Sequence, residues 1–371
     1  MNEIETLFSD CLVSDPGIDN LVVDKSYLLD VHNNTVYNKV IVSYFDKLSK
    51  EDLNISKSSI GNLCQCNKVF VYNRYDYNLV KDFIYTKLCH NKFCNNCKKV
   101  KQACRMSRYI PELEPYSDKM YHIIFTLPNC SGSDLHNTLK KMSNSFRKLI
   151  RFINGTKGLS FINFSKYGYL GAIRSLEITF KGDSYHPHYH CAFAFSNLSL
   201  DCNIENVFSR DFHGVKDLRL FSEFEIILQK LWYMCLNDID ITKYNYDHID
   251  LGYSVLCNKF NNNDYAELFK YMTKETDEIN NILTYDNFKT LYYNTRFVKQ
   301  IQGYGVFYRI NDSNIDEEVD KFYANIQEYL NIQENPSSDY STPFELLNDN
   351  IYTLISRKRI YQYLKDLKKS N

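Results

Sequence analysis

Gly171-Ala-Ile-Arg-Ser-Leu-Glu-Ile-Thr-Phe180 and His186-Pro-His-Tyr-His-Cys-Ala-Phe-Ala-Phe195 read as neighbouring strands, Tyr169–Phe180 and Tyr189–Phe195, with Lys181–Tyr185 as the turn between them. Side chains at i and i+2 of a strand point to one face. The imidazoles of His188 and His190 therefore share a face and can hold one divalent metal ion. His186 precedes Pro187, which disturbs the strand, so it is expected to support the site or contact substrate. Glu177, on the neighbouring strand, is either the third ligand or an exposed residue pairing with Arg174 or Lys181. A His/His/carboxylate set leaves coordination positions open for a phosphate oxygen.

Outward from this hairpin, Met120–Leu127 reads as a buried strand stopped by Pro128. Leu135, Leu139, Met142, Phe146, Leu149 and Ile153 recur at helical spacing, and Gly155 can close that helix. Ser222-Glu-Phe-Glu225 is a capping box opening a helix to about Leu236. Asp264 can cap another helix running to about Lys274, and Phe288–Gln300 and the acidic tail also read as helical. Strands interleaved with helices and joined by hairpin-length connections predict an α+β fold on a largely antiparallel sheet. Within Asp264–Lys274, Glu267 and Tyr271 lie four apart on one helical face, whereas Tyr265 lies elsewhere. Lys270 and Lys274 can counter a phosphate or a phenolate. Taken alone, Tyr271 reads as one of 31 tyrosines packing a core.

Cys64-Gln-Cys66 is followed by Cys89-His-Asn-Lys-Phe-Cys94-Asn-Asn-Cys97. That spacing lets a tight turn present several thiolates to one tetrahedral Zn²⁺, with Cys66 or Cys64 as fourth ligand and His90 as a spare. The alternative is a set of buried free thiols. The surrounding lysines, including Lys98, Lys99 and Lys101, can hold thiolates ionised and contact phosphates.

The 371 residues predict two or three units, and 44% hydrophobic with 15% aromatic residues suffices for a core. A net charge of −1 excludes wrapping of nucleic acid by bulk charge, yet the charge is segregated. Phe83–Pro111 carries seven Lys/Arg and no acid; Leu135–Leu176 carries eight and no acid; Asn311–Asn350 carries ten acids and one Lys. Two basic middle segments between acidic ends predict a polyanion-binding centre. Apolar runs are too short to span a bilayer and Met1–Asp10 has no signal features, so the expectation is a cytoplasmic protein with reduced cysteines and no membrane contact.

Three segments in order resemble the HUH endonucleases, specifically the rolling-circle replication initiators (Rep proteins) of small plasmids of Gram-positive bacteria. Ile123-Ile-Phe-Thr-Leu-Pro128 is similar to the first motif. Gly171–Phe180 leading to His186–Phe193 resembles the second, in which the metal-binding histidines flank one bulky residue, here Tyr189. Glu267-Leu-Phe-Lys-Tyr271-Met-Thr-Lys274 resembles the tyrosine motif of the subgroup whose Glu activates water in termination. Cys89–Cys97 is similar to the N-terminal cysteine motif, with Asn95 where a Pro is common, and Tyr293–Gly305 fits the closing Arg/Gly segment.

The resemblance covers about residues 61–310. It implies a zinc-ribbon-like module (61–111) and an HUH nuclease domain with a central antiparallel sheet flanked by helices (112–310); the acidic extension (1–60) and the tail read as helical (311–371) lie outside it. It further implies a site-specific single-strand endonuclease. Mg²⁺ or Mn²⁺ would sit on His188, His190 and Glu177, and structural Zn²⁺ on Cys66, Cys89, Cys94 and Cys97. Tyr271 would be the nucleophile and Glu267 the general base. Lys98, Lys99, Lys101, Arg174, Lys270 and Lys274 would contact DNA. Expected partners are origin DNA, double-stranded and extruded as single strand, and a host helicase and polymerase, since no P-loop occurs in the chain. A transposase with the same nuclease domain, and a non-catalytic zinc-ribbon regulator, are the competing readings.

Overall fold

The computed structural model describes residues 25–55, 57–66, 69–75, 80–86, 88–200, 221–249, 255–261, 264–269, 283–310, 315–316 and 351–356. In chain order the helices are α1 (Lys25–Glu51), α2 (Lys57–Gln65), α3 (Asn95–Leu113), α4 (Leu135–Ile153), α5 (Glu223–Leu236), α6 (Lys243–His248), α7 (Asp264–Leu268) and α8 (Tyr285–Asn294). The strands are β1 (Val69–Tyr75), β2 (Val80–Thr86), β3 (Met120–Phe125), β4 (Cys130–Ser131), β5 (Tyr169–Lys181), β6 (Ser184–Phe195), β7 (Val255–Lys259), β8 (Ile301–Gly305) and β9 (Ile351–Ser356).

Two compact units result: residues 1–104 with 314–371, and residues 105–313. In the first, α1 and α2 accompany an antiparallel sheet of order β2-β1-β9. The tail expected to be helical thus contributes a strand at Ile351–Ser356; most of its acidic part lies outside the described residues. The second unit is built on an antiparallel sheet of order β7-β3-β6-β5-β8, with β4 on β6.

The long β5–β6 hairpin is the spine of this sheet, in register from Gly171↔Ala194 to Lys181↔Ser184. β6 begins at Ser184, earlier than Pro187 suggested. The β3 ladder starts only at Tyr189, so Pro187 sits where β6 has no β3 partner and a missing N–H is tolerated. One face of the sheet carries Phe125, Tyr189 and Phe193, on which α4 and α5 pack. Phe146 of α4 lies 5.5 Å from Phe125 and 5.2 Å from Tyr189, and fully buried Trp232 of α5 lies 5.3 Å from Phe125. The Trp232 Nε1–H donates to Thr126 O at 2.7 Å, which satisfies the indole inside the core.

The capping box at Ser222 forms as its sequence demands. Glu225 is buried; its Oε2 accepts from the Ser222 backbone and its Oε1 from the Cys257 N–H at 2.9 Å, so one carboxylate joins α5 to β7. α8 starts three residues before the expected Phe288, because the Thr284 hydroxyl accepts from Asn287 N–H and caps it there. It ends at Asn294, since the chain must extend into β8 by Ile301. β8 then closes on β5 through glycines: a methyl on Gly303 would collide with the Phe307 carbonyl, and Gly305 has φ +62°.

Candidate functional site

The opposite face of the same sheet carries His122, His188, His190 and Glu177, because strand pairing sets Ile124 opposite His190, Ser175 opposite His190, and Glu177 opposite His188. Away from these residues that face is covered by an apolar cluster including Leu113, Ile173, Ala192, Leu268, Phe269 and Ile301. Glu177 Oε2 lies 3.0 Å from His188 Nε2 and 2.9 Å from His190 Nε2. Glu177 and His190 are buried, and His188 is half-buried. The three ligand atoms lie within 4.8 Å of one another.

The remaining ring nitrogens are fixed as well. His188 Nδ1 lies 3.2 Å from the His186 carbonyl, which can only accept, so the hydrogen is on Nδ1 and Nε2 is left to bind metal. His190 Nδ1 lies 3.2 Å from His122 Nε2, and His122 Nδ1 lies 2.9 Å from Asp264 Oδ1. Metal-binding histidines ordinarily hold their other nitrogen in this way, and this donor set fits a divalent cation with open positions. Burial pushes the His122 imidazole down, against the pull of Asp264, and burial followed by His188 pushes His186 down. The His186 ring stacks on His188 at 5.2 Å, beside the converging atoms rather than among them.

Glu267 lies on α7, half-buried, close enough for its charge to act on His122. Tyr271, Lys270 and Lys274 lie outside the described residues. Tyr265 is buried against Phe260 at 4.9 Å, and burial raises its phenol, which makes it a core residue. Sequence reasoning missed His122 and the second task of Asp264. A lone histidine inside the apolar run Met120–Phe125 was the available signal.

In the first unit the structure gathers Cys66, Cys89, Cys94 and Cys97, with Sγ atoms within 4.8 Å of one another; Cys64 is exposed. Sulfur separations of 3.5 Å (Cys66–Cys94) and 3.6 Å (Cys66–Cys97, Cys89–Cys97) compare with roughly 3.8 Å expected between thiolates around tetrahedral zinc. His90, at the turn, has φ +52°, and Asn38 of α1 donates Nδ2–H to Cys94 Sγ at 3.0 Å. Burial raises the Cys94 thiol, but hydrogen bonds from Cys66, Cys89 and Cys97 outweigh it and hold Cys94 well below its ordinary value. Four sulfurs gathered at these separations are the arrangement a soft divalent cation completes.

The basic residues divide. Arg174 is buried: its guanidinium stacks on Tyr189 at 4.6 Å and donates to Gln302 Oε1 at 3.1 Å and Lys299 O at 3.4 Å. It braces β5 against β8, which corrects the expectation that it contacts DNA. Lys98 is buried beside the cysteine turn; Lys101 pairs with Asp316 at 2.5 Å; Lys99 lies on α3. Lys140, Lys141, Arg147, Lys148 and Arg151 are exposed, and by helical geometry fall within about 120° on the outer face of α4. Of these, Lys148 pairs with Asp238 at 2.7 Å.

An α+β unit with a Glu-His-His set on one face of an antiparallel sheet defines a candidate metal centre. Part of the chain is similar to known proteins. Residues 81–199 match the family described as "Replication protein". A "Protein rep" of Staphylococcus aureus is 31% identical over 157 residues, 40% of this chain and 63% of that protein. A "Protein rep" of Streptococcus pneumoniae serotype 2 is 28% identical over 109 residues, 28% of this chain and 31% of that protein. The chain therefore spans less than two thirds of the length of the curated relatives it matches. No solved structure is a significant match. The family match includes Glu177, His186, His188 and His190 and ends before Tyr271. Among the described residues no helix is long and apolar enough to cross a membrane.

Proposed function

We propose that the protein is a plasmid rolling-circle replication initiator of the HUH endonuclease type, which nicks one strand of its origin through a covalent tyrosine intermediate. The observation that carries this reading is the convergence of Glu177, His188 and His190 inside the replication-protein segment. A divalent ion held by these three, Mg²⁺ or Mn²⁺, would polarise the scissile phosphate of single-stranded or extruded origin DNA. Tyr271 Oη attacks the phosphorus, the P–O3′ bond breaks, and the phenolic proton passes through solvent to the departing 3′ oxygen. The products are a 5′-phosphotyrosine and a 3′-OH from which a polymerase can extend. A host helicase and polymerase are the implied partners. A non-catalytic zinc-ribbon regulator would have no use for the Glu-His-His set.

The test is nicking of supercoiled plasmid bearing the cognate origin, with Mn²⁺ or Mg²⁺ and with EDTA. Metal-dependent open circles with protein on the 5′ end support the reading. Cleavage undiminished by EDTA, or no cleavage of any origin-bearing or hairpin substrate, overturns it.

Glu267 is the proposed general base for the closing hydrolysis, worth about 10²–10⁴-fold. Glu267→Gln is expected to nick nearly normally and to terminate poorly, measured as the ratio of terminated to initiated product. An unchanged ratio with a lower melting temperature would leave Glu267 a structural residue of α7.

The basic outer face of α4 is proposed to meet DNA phosphates. Reversing Lys140, Arg147 and Arg151 to Glu should weaken duplex binding and flatten its salt dependence by roughly 0.9 in log–log slope for each phosphate that is no longer neutralised. An unaltered slope would make this a solvated helix face.

The cysteine cluster is expected to carry one structural zinc. Cys94→Ser with Cys97→Ser should lose it, with a fall in melting temperature, because structural zinc supplies folding free energy. Metal analysis of the purified protein checks this; an unchanged melting temperature without zinc would make the four plain thiols.

A further inference from the structure

His122 on β3 and Asp264 at the start of α7 lie beside the ligand set without belonging to it. They meet each other at 2.9 Å, and His122 meets His190 Nδ1 at 3.2 Å. The hydrogens along this line have one consistent arrangement. If His190 Nε2 offers its lone pair to a metal, its hydrogen is on Nδ1 and must be donated. The acceptor is His122 Nε2, which places the His122 hydrogen on Nδ1, aimed at the Asp264 carboxylate. Carboxylate, imidazole and ligand imidazole then form a chain with each hydrogen bond made once and no hydrogen opposed to another.

The chain is enclosed. His122 is 6% exposed, its ring lies 5.4 Å from His190, and it packs edge-on to Phe260 at 6.3 Å. Asp264 is held from its other side, since Oδ2 accepts from the Asn261 N–H at 2.8 Å. Leu268 and Phe269, four and five residues on, are fully buried in the apolar cluster. α7 is thus pinned to the sheet at two points, one polar and one apolar, and the chain runs from it directly to Lys270 and Tyr271.

We propose that His122 and Asp264 are positioning residues that hold the His190 ring in its metal-binding orientation and tie that ring to α7. This rests on the metal-dependent nicking reading above. It adds that metal affinity depends on one buried pair outside the ligand set. The pair contacts neither metal nor substrate; it acts through His190 and through the position of α7.

The experiment uses full-length, zinc-loaded protein without DNA, and reads Mn²⁺ binding by electron paramagnetic resonance titration. His190→Ala gives the baseline for loss of the site. His122→Phe keeps a ring against Phe260 but removes both nitrogens. It is expected to bind Mn²⁺ about 10–100-fold more weakly, the usual cost of deleting such a partner, with melting temperature close to the parent's. Asp264→Asn keeps an oxygen for the His122 Nδ1–H and should lose less than Asp264→Ala. The double variant His122→Phe/Asp264→Ala should be no weaker than His122→Phe alone, because both act through one path. Mn²⁺ affinity within twofold of the parent in folded His122→Phe, or fully additive losses, would overturn the proposal. If His122→Phe does not fold, the Asp264→Asn and Asp264→Ala pair decides: equal affinities in both, matching the parent, overturn it. If parent and His190→Ala bind Mn²⁺ alike, the metal reading itself has failed, a result distinct from the others.

Discussion

Tyr271→Phe protein is expected to bind origin DNA as the parent does and to form no covalent adduct, with nicking reduced to background. The substitution keeps the ring and removes only the hydroxyl oxygen that must become bonded to phosphorus. A hydrolytic bypass would still need an activated water, and Glu267 is assigned to water only once the phosphotyrosine exists. The loss should therefore reach the detection limit in both initiation and strand transfer, while the salt dependence of binding is unchanged. A denaturation-resistant adduct in Tyr271→Phe would remove Tyr271 from the mechanism. Tyr265 would be a poor substitute: it is buried against Phe260, where no phosphate could reach it without opening the cluster.

Loss of either ligand histidine should be nearly as severe. His188→Ala and His190→Ala each delete one of two nitrogens that converge on Glu177 Oε2 within 3.0 Å. Metal-dependent cleavage should fall by at least about 10³-fold, more than the roughly 10–100-fold expected for a residue that only supports a ligand. His186→Ala is expected to fall in that lesser range. Its ring stacks on His188, and the acceptor it gives His188 is a backbone carbonyl that alanine retains. Excess Mn²⁺ should restore much of the His186→Ala activity and little of the His188→Ala activity. Equal and complete loss at all three positions would mean that the metal uses a different pair.

Much of the sheet was legible because its signals are local. The period-two spacing of His188 and His190 needs only an extended backbone to become a shared face. The Leu135–Ile153 spacing and the Ser222 capping box likewise specify α4 and α5 without reference to distant residues. What was not legible depended on partners far away in sequence. Arg174 looks like a surface cation until β8 arrives 130 residues later with the Tyr304 hydroxyl and Gln302 to enclose it. Pro187 looks like a strand breaker until the β3 ladder is seen to start beyond it. His122 carries no motif, and its pairing with Asp264 spans 142 positions. Asp264 was legible as a helix-starting residue and not as a hydrogen-bond partner, since a carboxylate has two oxygens and sequence accounts for one. Cys66 was separable from Cys64 only once the turn had folded and left Cys64 exposed.

The in-register pairing of β5 with β6 makes the site depend on counting as well as on chemistry. Glu177 faces His188 because the number of residues through the Gly182–Asp183 turn is what it is. Moving β6 by one position would send both imidazoles into the aromatic layer beneath α4 and bring Tyr189 up in their place; moving β5 would likewise exchange Glu177 for Leu176 or Ile178. Mutational drift in this hairpin is therefore constrained by parity. A single-codon insertion or deletion within either strand would be lethal to the centre even if every ligand were kept, whereas many side-chain exchanges on the same strands would pass.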